Sequence, residues 1–145
     1  MTQKIDFKSP LEVGFTFEKP ITFSTQEIST FAKLCGDLNP LHHDPERAKS
    51  SRYGGIIACG PHTSAVYLST MTAFLAPKYL GIGIKSEFEF CKPIYPNIEL
   101  TIKWVVRTII PKPRLHGYIV VSEGGIYNND EELLLGRGTF IITEK

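Results

Sequence analysis

The chain has 145 residues, 42% of them hydrophobic and 21% charged, an ordinary globular mixture long enough to enclose one core. Sixteen Lys and Arg against fifteen Asp and Glu leave a net charge of +1. That balance excludes the strong uniform field of a dedicated nucleic-acid or membrane-surface binder. The longest apolar runs are strand-sized, far below the ~18–20 residues of a membrane span, so no membrane partner is expected. Cys35, Cys59 and Cys91 are odd in number and widely spaced, which argues against a disulfide framework or zinc site and for a reducing, cytoplasmic setting. The polar stretch Met1 to Pro10 lacks the build of a signal peptide. No repeat, linker or charge block divides the chain, and a single domain over residues 1–145 is expected.

In chain order, Val13–Phe17 and Ile21–Phe23 can supply a strand ahead of the first helix. Ser24 and Glu27 form a capping box: the Ser oxygen accepts from the backbone three residues on, and Glu reaches back. Ile28, Phe31, Ala32, Leu34 and Cys35 recur at helical spacing, and Gly36 stops the helix because Gly takes the left-handed conformation freely. Asp44-Pro45 opens a short second helix, with Asp44 as N-cap. A third runs from Gly60-Pro61 to about Leu75; with small and apolar residues on almost every side, it is expected to be largely enclosed.

Strands follow. Phe88 and Phe90 alternate with Glu87 and Glu89, Ile98–Ile110 and His116–Tyr127 are long strands joined through Pro111-Lys112-Pro113, and Leu133–Thr143 follows the Asn128-Asn129-Asp130 turn. The expected fold is α+β: an antiparallel sheet of about five strands with one enclosed helix against it.

Chemistry concentrates just after the first helix, in Gly36-Asp37-Leu38-Asn39-Pro40-Leu41-His42-His43-Asp44-Pro45. A carboxylate and an imidazole stand five residues apart, and Pro40 biases Asn39 away from helical geometry, so a turn can point Asp37 and His42 into one space. Three readings of these residues stay open: a capped turn with exposed histidines, a proton-transfer pair holding a water, or a metal site drawing on Asp37, His42, His43 and Asp44.

The run Phe31-Ala32-Lys33-Leu34-Cys35-Gly36-Asp37-Leu38-Asn39-Pro40-Leu41-His42-His43-Asp44 resembles the hydratase-2 motif of the MaoC-like family, the (R)-specific enoyl-CoA hydratases and dehydratases. The resemblance implies a hot-dog fold, a sheet wrapped around one long helix. It implies a homodimer or higher homo-oligomer, and an acyl-CoA or acyl-carrier-protein thioester as substrate. By the same resemblance Asp37 and His42 match the catalytic pair, Gly60 the backbone donor to the thioester carbonyl, and Asn39 joins Gly60 as a substrate-binding position. No metal or organic cofactor is implied.

The match is imperfect at the central helix. Members often carry His-Gly and then Met or a similar residue, whereas this chain reads Cys59-Gly60-Pro61-His62, and Pro61 lacks an N–H. Where some members place a Ser that bonds the catalytic Asp, this chain has Leu68, with Ser64 and Ser69 as substitutes. His62 reads as a packing or surface residue and Cys59 as a small buried hydrophobe. Tyr67, Met71, Phe74 and Leu75 fit plain core better than an acyl tunnel. Two other activities fit a hot-dog fold: an acyl-CoA thioesterase, against which the absence of Asp and Glu from Pro61–Leu75 argues, and a non-catalytic acyl-thioester-binding subunit.

Overall fold

The first described strand, β1 (Thr16–Ile21), leads into helix α1 (Thr25–Leu34), a 3-10 turn at Pro40–His42, and helix α2 (Pro45–Ser50). Helix α3 (Gly60–Leu75) is followed by β2 (Tyr79–Phe90), β3 (Leu100–Lys112), β4 (Gly117–Asn128) and β5 (Glu131–Glu144). This computed structural model describes residues 11–145; the polar stretch Met1 to Pro10 lies outside them. All five strands form one antiparallel sheet in the order β1-β3-β4-β5-β2.

Strand alternation decides which face α3 covers. Along β3, Leu100, Ile102, Trp104 and Val106 are buried while Thr101, Lys103 and Val105 are only partly covered, as the two-residue period of a strand requires. Phe140 and Ile142 of β5 join the same core. Tyr67 of α3 lies flat on Trp104, ring centroids 4.0 Å apart, and its hydroxyl donates to the Gly136 carbonyl at 3.0 Å. Trp104 Nε1 donates to Thr70 Oγ1 at 2.9 Å, and Thr70 donates onward to the Tyr67 carbonyl at 2.7 Å. Buried polar groups are tolerable when bonded in this way. A Cβ at residue 136 would run into the Tyr67 ring, so Gly there is what lets the helix settle onto the sheet. This sheet-around-helix architecture is the hot-dog arrangement, and the α+β expectation of about five strands holds.

Several local expectations need correction. Leu34 is 83% exposed: it stands roughly 120° around the helix from Ile28, off the stripe through which Ile28 and Ala32 are buried. Cys35, as the C-cap residue, is exposed too. The capping box is half formed, because Glu27 Oε1 accepts from the Ser24 hydroxyl instead of its backbone. Helix α3 buries His62, Thr63, Tyr67, Thr70, Met71 and Leu75 but leaves Pro61, Ser69, Ala73 and Phe74 exposed, so one face is open. Pro111 belongs to β3, opposite Tyr118, and the chain reverses only at Pro113–Leu115.

Candidate functional site

Helix α1 ends in a glycine-closed cap that delivers Asp37. Gly36 adopts φ 77°, the Gly36 N–H donates to the Lys33 carbonyl at 3.0 Å, and the Asp37 N–H donates to the Ala32 carbonyl at 2.8 Å. These two bonds are the Schellman pattern. The carboxylate then organises the turn that follows, Oδ1 accepting from the Asn39 N–H at 3.0 Å. Asn39 repeats the device, its Oδ1 accepting from the Leu41 N–H at 3.1 Å, and Pro40 opens the 3-10 turn.

The bend brings Asp37 and His42 together. His42 Nε2 lies 3.4 Å from Asp37 Oδ2, with 7% of the imidazole side chain and 37% of the carboxylate side chain exposed. His42 Nδ1 sits 2.7 Å from the Ile57 carbonyl. A carbonyl only accepts, so Nδ1 carries a hydrogen and Nε2 is the nitrogen left for proton exchange. The histidine is thus buried and fixed, while the carboxylate is reachable from solvent. A gap of 3.4 Å is beyond a good direct bond, and both atoms can instead share a water or a reacting proton.

Gly60 opens α3. Cys59, the N-cap, makes no side-chain hydrogen bond to the helix; the His62 and Thr63 N–H groups both donate to the Cys59 carbonyl, and Pro61 has none to donate. Among the described residues, the Gly60 N–H is therefore the first-turn donor without a partner. Phe90, exposed at the end of β2, lays its ring against the Gly60 α-carbon, 3.0 Å from where a Cβ would stand. Beside it opens a cleft of about 500 Å³ lined by Ile57, Gly60, Thr63, Phe90 and Ile94, with Arg52 among the residues at its wall. Neither Asp37 nor His42 lines that cleft; the link between the two is residues 57–60, which hold His42 by the Ile57 carbonyl and end at Gly60.

Asn39 is exposed, its amide oxygen committed to the turn. Ser64 bonds back to the Pro61 carbonyl and Ser69 is exposed, so the hydrogen bonds of Asp37 come from elsewhere. His43 and Asp44 do not offer ligands to the gap between the pair: the His43 ring nitrogens are taken by the Asp37 main-chain carbonyl and the Ser29 hydroxyl, and Asp44 caps α2 through the Glu46 and Arg47 N–H groups. Cys59 is buried, and burial pushes its thiol up from the ordinary value, disfavouring a thiolate nucleophile. Tyr67, Met71 and Leu75 are core, while Phe74 is partly exposed against Phe15 and Phe17. Ser29, Ile57 and Phe90 support the site without having been singled out by the sequence, because each reaches it across the fold and not along a motif.

His62 is a buried packing residue, stacked on Phe31 at 4.5 Å and edge-on to Phe23 at 5.0 Å, its Nδ1 without a hydrogen-bond partner among the described residues. Burial lowers its pKa below the ordinary value, opposed in part by Glu27. The unfolded chain therefore takes up this proton first, so the His62 contribution to stability is complete above about pH 6.5 and is lost as pH falls toward the depressed folded value. Urea melts at pH 7.5 and pH 5 should show a smaller acid-induced loss in His62→Phe than in the parent. An equal loss in both would remove this assignment.

A family model described as MaoC like domain matches residues 6–122. The mitochondrial 3-hydroxyacyl-(acyl-carrier-protein) dehydratase of Arabidopsis thaliana is 26% identical over 137 residues, covering 93% of this chain and 80% of that protein. The (R)-specific enoyl-CoA hydratase of Aeromonas caviae is 29% identical over 94 residues, covering 54% of this chain and 70% of that protein. An R-hydratase structure from Pseudomonas aeruginosa shares the fold with a TM-score of 0.80 at 21% identity, covering 93% of this chain and 84% of that one. With the family model spanning most of the sequence, the chain belongs to the MaoC-like dehydratase family.

Proposed function

We propose that the protein is a hydro-lyase that interconverts trans-2-enoyl thioesters and (R)-3-hydroxyacyl thioesters. The observation that carries this reading is the Asp37–His42 pair: a half-open carboxylate 3.4 Å from an imidazole whose far nitrogen is pinned to the Ile57 carbonyl. In the hydration direction, Asp37 Oδ2 orients a water and takes one of its protons as the oxygen bonds to the β-carbon. The double-bond electrons move toward the thioester carbonyl, building enolate charge on its oxygen. The Gly60 N–H, at the positive end of α3, stabilises that charge. His42 Nε2, in its protonated form, then delivers a proton to the α-carbon. The proton held on Asp37 passes back to His42, and the pair is restored. Asp37 and His42 are the catalytic residues of this scheme, and Gly60, with Asn39 bracing the turn, the substrate-side positions.

Thioesterase chemistry fits less well, because Pro61–Leu75 has no carboxylate and the Cys59 thiol is held protonated by burial. The substrate arrives on coenzyme A or on an acyl carrier protein, and the working form is a homodimer or larger homo-oligomer. For a second copy, the support is β2: it lies at a sheet edge, and Leu80, Ile82 and Ile84 along it are exposed, the kind of edge that proteins ordinarily pair or cover. A cytoplasmic setting is consistent with two exposed free cysteines, Cys35 and Cys91. Among the described residues no helix is long and apolar enough to cross a membrane.

The test follows 2-enoyl-CoAs and 2-enoyl carrier-protein thioesters by loss of enoyl absorbance and, separately, by free thiol. Absorbance loss without thiol is the expected result, with the (R) product on chiral analysis. Thiol release would replace the reading by thioesterase, and no reaction with retained binding by a non-catalytic subunit. Light scattering on the same sample should give at least twice the 16.3 kDa chain mass; a monomer would remove the assembly proposal.

A further inference from the structure

The imidazole next in sequence to His42 is held as firmly as His42 itself, and by different partners. His43 Nε2 lies 2.7 Å from the Asp37 main-chain carbonyl, and His43 Nδ1 lies 2.7 Å from Ser29 Oγ in the middle of α1. The carbonyl can only accept, so Nε2 carries the hydrogen; in the neutral ring Nδ1 then accepts from the Ser29 hydroxyl. His42 bonds a carbonyl through Nδ1 instead. Two adjacent histidines thus present opposite nitrogens to backbone carbonyls, His42 its Nδ1 and His43 its Nε2, and their rings stand nearly perpendicular, 82° apart.

The consequence falls on Asp37. Its N–H is held by Ala32, its Oδ1 by the Asn39 N–H, and its carbonyl by His43, which leaves Oδ2 as the one polar atom free to face His42. Without His43, the peptide after Asp37 is tied only through the short turn and can rotate. A rotation there carries the Asn39 N–H away from Asp37 Oδ1, and the carboxylate loses the bond that fixes its direction. With His43 in place, the turn is clamped to α1 through Ser29, across 14 residues of sequence.

We infer that His43, seated by Ser29, is a positioning residue for the reaction: it grips the Asp37 main chain and so sets the distance and direction from the Asp37 carboxylate to His42. The inference rests on the hydratase reading of Asp37, and the experiment separates the two. The parent and three variants, His43→Leu, His43→Gln and Ser29→Ala, are compared for kcat and KM on a 2-enoyl-CoA, with thermal melts to confirm folding. His43→Leu should lower kcat by about 10- to 100-fold, the scale of a small misplacement of a reacting group, with little change in KM. His43→Gln should recover most of kcat, because its amide nitrogen can stand near the place of Nε2 and donate to the same carbonyl. Ser29→Ala, which removes only a half-buried hydroxyl, should fall between them and serves if His43→Leu does not fold. An unchanged kcat in a folded His43→Leu or, failing that, in Ser29→Ala overturns the inference, as does a His43→Gln no better than His43→Leu.

An independent readout comes from nitrogen–proton correlation spectra of the histidine rings in the parent. Neutral His43 should carry its hydrogen on Nε2 and neutral His42 on Nδ1; the other tautomer at His43 overturns the clamp. If the parent hydrates no thioester, the hydratase reading fails, while the ring spectra still decide whether the clamp exists.

Discussion

Asp37→Asn should lower hydration turnover by at least about 100-fold, the lower range for a lost acid–base group, while leaving the melting temperature close to the parent's. The substitution is well matched to the geometry. The Asn side-chain oxygen can still accept from the Asn39 N–H, which Asp37 Oδ1 does at 3.0 Å, so the turn survives. Its NH2 replaces Oδ2 and can donate to His42 Nε2, now 3.4 Å away. The pair would be as well ordered as before and unable to take a proton from water. His42 needs more care, since His42→Ala removes the bond to the Ile57 carbonyl and leaves an acceptor unsatisfied at a cost of about 1–3 kcal/mol. His42→Asn can keep that donor and delete only Nε2, so it is the cleaner variant, with the same loss expected. The double variant Asp37→Asn/His42→Asn should be little worse than either single one, because groups that act as a unit lose their effect together. Steady-state rates on crotonyl-CoA, monitored by enoyl absorbance, check all three; turnover within tenfold of the parent in either single variant would sink the mechanism.

What could be read from the sequence was what neighbours in the chain determine. Ser24 as N-cap and Gly36 as the left-handed stop act within one turn of helix. Asp37 and Asn39 build the bend from side-chain bonds to backbone two residues on, and Pro40 opens its 3-10 turn. Asp44-Pro45 and Gly60 likewise mark helix starts that the fold keeps. What escaped depends on tertiary neighbours. Whether Leu34 is covered is decided by where α3 lies, not by spacing along α1. Ile57 holding His42, and Phe90 lying over Gly60, join residues 15 and 30 positions apart. Pro111 remains in β3 because the described pairing with β1 stops at Val105, so that at Pro111 the strand is a sheet edge, where a missing N–H is tolerated, a matter of sheet position invisible in the dipeptide. Asp37 Oδ1 takes its hydrogen bond from the Asn39 N–H two residues on, while Ser64 of α3 bonds back to its own helix.

Tyr67→Ala should cost about 3–5 kcal/mol of stability, the range for removing a large buried ring, out of the roughly 5–15 kcal/mol that a domain commonly has. The ring stacks on Trp104 at 4.0 Å, and its hydroxyl is bonded to the Gly136 carbonyl at 3.0 Å. Burial also pushes the phenol far above its ordinary pKa, so it remains a donor throughout the working pH range. Tyr67→Phe isolates that bond and should cost only about 1 kcal/mol, which assigns most of the effect to the ring. Gly136 is the other half of the contact. Gly136→Ala places a Cβ against the Tyr67 ring and should cost about 1–3 kcal/mol as overpacking. In the Tyr67→Ala background the same methyl enters vacated space, so its penalty should shrink or reverse. A double-mutant cycle by urea unfolding should therefore show the double variant more stable than the sum of the singles predicts, by about 1 kcal/mol or more. Strict additivity would mean that Gly136 is glycine for the backbone's sake alone. Non-additivity would identify the Tyr67–Gly136 contact as what sets the height of α3 above the sheet, and with it the position of the Gly60 N–H at the start of that helix.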